Sequence, residues 1–281
     1  MLKVGLCLSG GSLKGIAGHC GFLKRVNDVA GWEIKSVVGT SAGAVVAAMY
    51  CAGLSPAQIE EILLQVKLSD YVERSYKLRG LWKWFGPTKF TGMIRGKPFE
   101  KFMDKHLPVK TFEECKVRCH VVATNLSRGR SETFSTGDMI PPVRASMSIP
   151  FVFEAKEILG EYYEDGGMVS NAAVGVLAKE DVDLVVVNNF FKPREEANND
   201  FLEGTEIDRQ SKMMNRRFEA VQAVQEIANA KIMEDAGKRV IQLRPVIPIN
   251  VSLLKPVTED IKKVIDYGYR ETSRLLEGHA V

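Results

Sequence analysis

The chain has 281 residues, 45% of them hydrophobic and 26% charged, and its formal net charge is +3. This composition is typical of a globular protein and excludes a chain that is mainly disordered. The five cysteines, an odd number, exclude a disulfide scaffold in which every thiol is paired. So small a net charge gives no support to nucleic-acid binding.

Neither a secretion signal nor a membrane span is predicted. The apolar run at the start of the chain is interrupted by Gly10 and Gly11, and the core of a signal peptide needs a longer run. No stretch reaches the roughly 18 consecutive apolar residues of a transmembrane helix. We therefore expect a cytoplasmic protein.

Apolar strands and amphipathic helices alternate along the chain. The predicted strands are residues 3–8, 36–38, 119–124, 182–188 and 239–243. The predicted helices are residues 16–30, 44–52, a segment that begins at 55, 212–236 and 258–276. Buried strands that alternate with helices are typical of a parallel sheet covered on both faces. We predict one α/β domain over residues 1–281, with three α/β/α layers and a mostly parallel central sheet.

The start of the third helix is the most sharply marked. Ser55 is suited to the N-cap, Pro56 to the first helical position, and Gln58 to the return bond of a capping box.

The strongest chemical signal is Gly39-Thr40-Ser41-Ala42-Gly43, between a predicted strand and a predicted helix. In this position a G-x-S-x-G pentapeptide makes a sharp turn that exposes the serine hydroxyl, and the flanking glycines avoid clashes. The helix N-terminus favours the negative charge that develops during acyl transfer. Ser41 is therefore a candidate nucleophile, the alternative being a turn of purely structural role.

Two further turns carry suitable chemistry. Ser9-Gly10-Gly11-Ser12 follows the first strand, and its backbone N–H groups can bind a phosphate or an oxyanion, although it matches no Walker A loop. Asp165-Gly166-Gly167 offers a carboxylate at a strand end. A nucleophilic serine needs a group that accepts its proton, and Asp165 can be that group, whereas Asp-Gly is also common in ordinary turns.

None of the histidines is well placed to be the base; they are His19, His106, His120 and His279. We expect His19 to pack within the first helix and His120 to be neutral in a buried strand. The order Ser41, Asp165, His279 matches a hydrolase triad. The α/β-hydrolase fold, in which this order occurs, places several strands before its nucleophile, whereas here one or two precede Ser41. We therefore favour a base other than histidine.

Taken in order, these motifs resemble the patatin-like phospholipase family. The resemblance extends to residues 145–153 and to a core strand at 121–125, and it covers about two thirds of the chain. It implies a dyad without histidine, in which Ser41 attacks an ester carbonyl and Asp165 accepts its proton.

The resemblance also implies roles for the surrounding residues. They are an oxyanion hole at Gly10, Gly11 and Ser12, a positioning role for Lys14, an elbow at Gly39 and Gly43, and a proton-acceptor loop at Gly166 and Gly167. Ser12 stands where the family commonly has a third glycine, and after Asn171 the chain lacks the proline that the family often has. A serine N–H can still donate, but its φ is more restricted than that of glycine.

Residues 71–101 contain eight Lys and Arg against two Glu, together with Trp82, Trp84, Phe85, Phe90 and Phe99. Aromatic and basic residues together are suited to an anionic lipid surface. We predict that a segment of about 70–105 forms a lid, or docks on a membrane through residues 71–102; the alternative is a loop and helix packed over the sheet. Residues 194–208 contain six acidic residues against one basic residue, and we predict a surface loop over residues 193–209.

The sequence therefore predicts a serine acyl hydrolase acting on fatty-acyl esters of lipids, a phospholipase or lysophospholipase, with no cofactor and no nucleic-acid partner. Cys115, Cys119 and His120 do not complete a zinc site, so no metal is predicted. Three alternatives stay open: an acyltransferase or thioesterase on the same dyad, a lipid-binding or regulatory protein without activity, and a nucleotide-binding module that uses Gly10 and Gly11.

Overall fold

The structure is a computed structural model that describes residues 1–73, 91–191, 199, 202–249 and 251–279. Its strands are β1 (Leu2–Leu8), β2 (Trp32–Thr40), β3 (Gly92–Ile94), β4 (Arg118–Asn125), β5 (Arg130–Phe134), β6 (Phe151–Phe153), β7 (Lys156–Ile158), β8 (Glu161–Asp165), β9 (Leu184–Asn188) and β10 (Arg239–Leu243). Its helices are α1 (Ser12–Asn27), α2 (Ala42–Cys51), α3 (Pro56–Leu64), α4 (Lys97–His106), α5 (Ile140–Ser146), α6 (Glu206–Asp235) and α7 (Thr258–Glu277). Short 3₁₀ turns lie at Leu68–Asp70, Phe112–Glu114, Gly166–Met168 and Val174–Lys179.

The main sheet is mixed and runs in the order β10, β9, β1, β2, β4, β8, β7, with β5 also paired to β4. The first five strands of this order, β10 to β4, are parallel to one another. The β4–β5, β4–β8 and β7–β8 pairs are antiparallel. In register, Leu8 lies opposite Gly39, so β1 and β2 end side by side. The turns that follow these two strands therefore meet at one edge of the sheet.

Helices cover both faces of the sheet. Alternate residues of a strand point to opposite faces, so a single strand contributes to the core on each side. On β1, Val4, Leu6 and Leu8 belong to the core beneath α1, α2, α3 and α7. The intervening Cys7 packs in a second cluster with Val174 and with Met233 of α6. The predicted α/β/α layering with a mostly parallel sheet is confirmed in the described residues.

Sequence and structure differ most in the antiparallel part of the sheet. The five predicted strands are present, and β2 extends over Trp32–Thr40 rather than 36–38. By contrast β5, β7 and β8 are not predicted, because they are short and polar; β8 reads Glu-Tyr-Tyr-Glu-Asp. The capping box of α3 is confirmed: Ser55 Oγ accepts from Gln58 N at 3.3 Å, and Ser55 N donates to Gln58 Oε1 at 2.9 Å.

The segment proposed as a lid is only partly within the described residues, since 74–90 lie outside them. Its described end forms β3 and α4. Phe99 is buried in the core, so this aromatic cannot contact a membrane as the composition predicts. In the acidic stretch, residues 192–198 and 200–201 lie outside the description. From Glu206 that stretch is helix α6 instead of loop.

Within the described part of the chain, no helix is both long enough and apolar enough to cross a bilayer. The cytoplasmic location and the single-domain organisation stay predictions.

Candidate active site

Two strand-to-helix turns form the floor of the site. The β1–α1 turn comprises residues 9–11 and Ser12, the first residue of α1, and the β2–α2 turn is the single residue Ser41 between Thr40 and Ala42. Gly43 N donates to the carbonyl oxygen of Ser9 at 3.1 Å. This hydrogen bond joins the two turns directly.

Ser41 has a backbone conformation that serine rarely adopts, with φ 53° and ψ −118°. Such a conformation costs of order 1–3 kcal/mol and persists only where the surrounding structure holds it. Here the Ser41 N–H donates to Ser146 Oγ at 2.8 Å. The strained backbone presents the Ser41 hydroxyl at the N-terminus of α2, as the pentapeptide predicts.

The elbow glycines are required by close backbone contacts. A Cβ on Gly39 would lie 2.3 Å from the carbonyl oxygen of Gly43, and a Cβ on Gly43 would lie 2.0 Å from that of Leu8. Neither contact can be relieved by moving a side chain, because both involve main-chain atoms. Any larger residue would therefore force the strand and helix apart.

Ser41 and Asp165 are in direct contact, although they are separated by 124 positions in the chain. The Ser41 hydroxyl donates to Asp165 Oδ2 at 2.6 Å. Asp165 is the last residue of β8, and its Oδ1 accepts from the N–H of Gly167 at 2.8 Å. A Cβ on Gly166 would lie 2.3 Å from the carbonyl oxygen of Val122, so glycine lets this turn lie against β4.

Burial makes Asp165 a much stronger base than an ordinary aspartate. Loss of hydration raises its pKa from 3.8 to about 6, although the hydrogen bonds from Ser41 and Gly167 act in the opposite direction. Burial disfavours the charged form of a carboxyl group. The carboxylate is thus still mostly ionised at neutral pH, and its pKa is much closer to the pH of the medium than that of an ordinary aspartate.

The β1–α1 turn offers fewer free donors than the sequence predicts. The Gly10 N–H donates to Asn171, at 3.1 Å to Oδ1 and 3.2 Å to the main-chain oxygen. It can bind an oxyanion only if Asn171 moves. The N–H groups of Gly11 and Ser12 donate no hydrogen bond to any of the described residues. Ser12 is exposed and has φ 55°, so the third position of the loop takes a glycine-like conformation despite its side chain.

The histidines are engaged away from the Ser41–Asp165 pair. His19 is buried between the carbonyl oxygen of Ser9 and the side chain of Asn188, and burial lowers its pKa to about 4. His120 Nε2 lies 3.3 Å from the Glu180 carboxylate, and burial lowers its pKa. His279 is exposed beyond the end of α7. The triad order therefore has no counterpart in the geometry.

A cavity of about 480 Å³ opens beside the β1–α1 turn. Its lining includes Gly10, Gly11, Lys14, Asn171, Phe190 and Ile247. The wall thus combines aromatic and aliphatic side chains with the two cations Lys14 and Arg244, an arrangement that accommodates an amphipathic ligand. A larger cavity of about 610 Å³ lies between α3 and α4, away from Ser41.

No cluster of potential metal ligands occurs among the described residues. The Cys115 thiol lies within hydrogen-bonding distance of the Thr111 carbonyl oxygen and of Met139 Sδ. These contacts explain the position of its side chain.

Comparison with known families identifies the fold. The family model described as patatin-like phospholipase matches residues 6–178, which include both turns and Asp165. The chain belongs to the patatin-like phospholipase family. The resemblance seen in the sequence motifs is confirmed.

Members of this family and related structures vary in length. Protein R571 of Acanthamoeba polyphaga mimivirus is 30% identical over 195 residues, which are 64% of this chain and 63% of that protein. Lysophospholipase nte1 of Emericella nidulans is 26% identical over 184 residues, 65% of this chain but 11% of that protein. The chain thus matches less than two thirds of either relative's length. The crystal structure of VipD from Legionella pneumophila superposes with a TM-score of 0.47 at 16% identity, covering 99% of this chain and 67% of that one.

Two residues of the site escape sequence reasoning. Ser146 lies in the family block, but nothing in that block shows that its hydroxyl reaches Ser41. Asn171 has a signal, since it follows the Asp-Gly-Gly motif within a few positions. Its contact with Gly10 spans 161 positions and becomes visible only in three dimensions.

Proposed function

We propose that this patatin-like protein is a serine acyl hydrolase that cleaves fatty-acyl esters of phospholipids or lysophospholipids through a Ser41–Asp165 dyad. The observation that carries the proposal is the 2.6 Å hydrogen bond from the Ser41 hydroxyl to a buried carboxylate. Family membership supports a lipid as substrate, and the mixed lining of the 480 Å³ cavity is compatible with one.

In the first half of the proposed reaction, Ser41 Oγ forms a bond to the ester carbonyl carbon while its proton passes to Asp165 Oδ2. The carbonyl oxygen becomes an oxyanion. The bond from carbon to the alcohol oxygen then breaks, and Asp165 returns the proton to that oxygen. This leaves the fatty-acyl group on Ser41 and releases the alcohol half of the lipid.

In the second half, water attacks the acyl-enzyme. Asp165 accepts a proton from the water as its oxygen bonds to the acyl carbon, and then returns a proton to Ser41 Oγ as the acyl–serine bond breaks. The fatty acid leaves and the dyad is restored. One carboxylate thus acts as base and as acid in each half, which is favoured by a pKa close to the working pH.

The N–H groups of Gly11 and Ser12 are our candidates for the oxyanion hole, supplemented by the N-terminus of α1. One such donor is worth about 100-fold or more in rate. Gly10 is assigned a supporting role, because its N–H holds Asn171. Lys14 lines the adjoining cavity and is a candidate for positioning the polar part of the lipid.

The test compares wild type with Ser41→Ala and Asp165→Asn on p-nitrophenyl acyl esters and on lysophospholipid micelles. We expect each variant to lose about 1,000-fold or more in kcat, because nucleophile and base act as a unit. The wild-type rate should fall below about pH 6 as Asp165 becomes protonated.

His279→Ala is the matched control for the triad alternative and should retain the wild-type rate. Full activity in Ser41→Ala would refute the proposal. Loss of activity in His279→Ala alone would instead support the triad. Product analysis in the presence of an added alcohol or thiol separates hydrolysis from acyl transfer, since only a transferase passes the acyl group mainly to the added acceptor.

A further inference from the structure

The segment from Arg144 to Ser148 connects the two members of the proposed dyad. It begins in α5 and passes beneath the β2–α2 turn, and the side chains of Arg144, Ser146 and Ser148 are all buried. Three buried polar side chains in five residues are unusual, because burial of a polar group is unfavourable unless each is hydrogen-bonded. The hydrogen bonds of these three side chains therefore indicate the role of each.

Ser146 binds the nucleophile from below. Its Oγ accepts from the Ser41 N–H at 2.8 Å and donates to the carbonyl oxygen of Val122 on β4 at 2.6 Å. The hydroxyl thus uses its one proton and one of its lone pairs, and it ties the strained Ser41 backbone to a central strand. Without the Ser146 hydroxyl, the buried Ser41 N–H would lose this hydrogen-bond acceptor.

Ser148 binds the base, but through its main chain. Its carbonyl oxygen accepts from the Asp165 N–H at 3.0 Å. Its hydroxyl bonds only Arg144: it donates to the Arg144 carbonyl oxygen at 2.9 Å and accepts from the guanidinium. The same guanidinium donates to the carbonyl oxygens of Arg95 and Glu154 at 2.6 and 3.0 Å. The segment is therefore fixed at both ends.

We propose that Ser146 is a positioning residue of the hydrolase, whose hydroxyl holds Ser41 in its strained conformation and thereby fixes the hydrogen bond between Ser41 and Asp165. The inference rests on the proposed function and assigns a role to a residue that touches neither substrate nor carboxylate. Its action is through the Ser41 backbone, because a relaxed φ would turn the side chain away from Asp165.

The test measures kcat and the pH dependence of kcat/KM in Ser146→Ala and Ser146→Cys. Cysteine keeps nearly the size of serine, whereas its thiol is a weak donor and acceptor, so this variant addresses packing loss separately. We expect kcat to fall by about 100-fold in Ser146→Ala, the effect of displacing a reacting group by about 1 Å, with a smaller fall in Ser146→Cys.

The pH profile distinguishes positioning from a general loss of structure. In wild type the hydrogen bond from Ser41 lowers the pKa of Asp165. When that bond lengthens, the acid limb of kcat/KM should move to higher pH in both Ser146 variants. Ser148→Ala is the matched control: it removes an equally buried hydroxyl from the same segment but leaves the main-chain bond to Asp165. Its acid limb should stay at the wild-type pH.

A second readout is the rate of labelling by a fluorophosphonate, in which Ser41 Oγ bonds to phosphorus as fluoride leaves. Labelling should slow in parallel with kcat in both Ser146 variants. A wild-type acid limb and a rate within twofold of wild type in Ser146→Ala would overturn the inference while leaving the hydrolase intact. Failure of wild type both to hydrolyse esters and to label at Ser41 would refute the proposed function and this inference with it.

Discussion

The β1–α1 and β2–α2 turns follow adjacent parallel strands and share one backbone conformation, a serine with positive φ, but they present different groups. Each contains a serine with positive φ, Ser12 at 55° and Ser41 at 53°. Ser12 is exposed, and neither its N–H nor that of Gly11 donates a hydrogen bond to a described residue. Ser41 is buried, and its N–H is bound by Ser146. One turn thus offers main-chain donors, whereas the other holds its main chain fixed and offers a side chain.

The difference shows where precision is required. The proposed oxyanion hole has more than one donor, so displacement of a single N–H, such as that of the exposed Ser12, leaves the other donors in place. A nucleophile must keep one atom within hydrogen-bonding distance of its base, so its turn is enclosed by Leu8, Gly39 and Gly43. We therefore expect substitutions in the β2–α2 turn to be far more damaging than those in the β1–α1 turn.

The largest effect is expected for Gly43→Ala. The added Cβ would lie 2.0 Å from the Leu8 carbonyl oxygen, a main-chain contact that only separation of β1 and α2 relieves. We expect a loss of several kcal/mol in stability, about 3 kcal/mol or more, measured by denaturant unfolding. Gly278→Ala is the control, since its Cβ would have 3.5 Å to the nearest atom. A Gly43→Ala protein as stable as this control would show that close packing does not hold the turn.

The next effect is a gain in stability from Asp165→Asn. The carboxyl pKa is raised from 3.8 to about 6 in the folded state, so folding favours the protonated form. The stability that this provides is complete below about pH 4 and is lost as the pH rises through about 6. At neutral pH the loss amounts to about 3 kcal/mol. Asparagine carries no charge; its amide oxygen can accept from the Gly167 N–H, and its amide N–H can donate to Ser41 Oγ, which reverses the direction of that bond. We therefore expect it to recover most of that energy.

Thermal unfolding over a range of pH provides the measurement for Asp165→Asn. The variant should melt above wild type at neutral pH, and the difference should vanish towards pH 4, where the wild-type carboxyl group is also neutral. A constant difference at every pH would mean that burial of charge is not its cause. The variant should be inactive throughout, so stability and activity change in opposite directions.

The smallest effect is expected for Ser12→Gly. Glycine adopts a positive φ without strain, although it also gives the unfolded chain more freedom, so the net gain in stability should be about 0.5 kcal/mol. The N–H is retained, and ester hydrolysis should persist. Ser55→Gly is the control, because Ser55 has φ −69° and caps α3; it should lose a few tenths of a kcal/mol. A loss of stability in Ser12→Gly as well would show that the backbone of Ser12 is not strained.

The parts predicted from the sequence are those with local causes. Both turns, the capping box of Ser55 and the parallel strands follow from short patterns of glycine, capping residues and continuous apolar runs. Asp165 is assigned through its motif and its resemblance to a family rather than through periodicity. The pattern at β8 is charged, so its strand character depends on pairing with β4, 38 to 42 positions away in register.

The remaining parts arise from contacts between distant segments. The role of Ser146 depends on a hydrogen bond across 105 positions, and that of Asn171 on one across 161. Serine and asparagine are common residues, so their types alone carry no information about these partners. Phe99 likewise reads as part of an aromatic and basic surface, yet it is buried because α4 turns its apolar side towards the core.

The hydrogen bond from the Gly43 N–H to the Ser9 carbonyl oxygen has a consequence for the timing of motions. Its proton can exchange with solvent deuterium only when the two turns separate. Exchange at this one amide therefore reports the frequency of openings in which the proposed nucleophile and the proposed oxyanion donors separate together. The same Ser9 oxygen also lies 2.7 Å from His19 Nε2. The β1–α1 turn, the first turn of α2 and the His19 imidazole are thereby joined at a single oxygen atom, and we expect their local opening motions to be coupled.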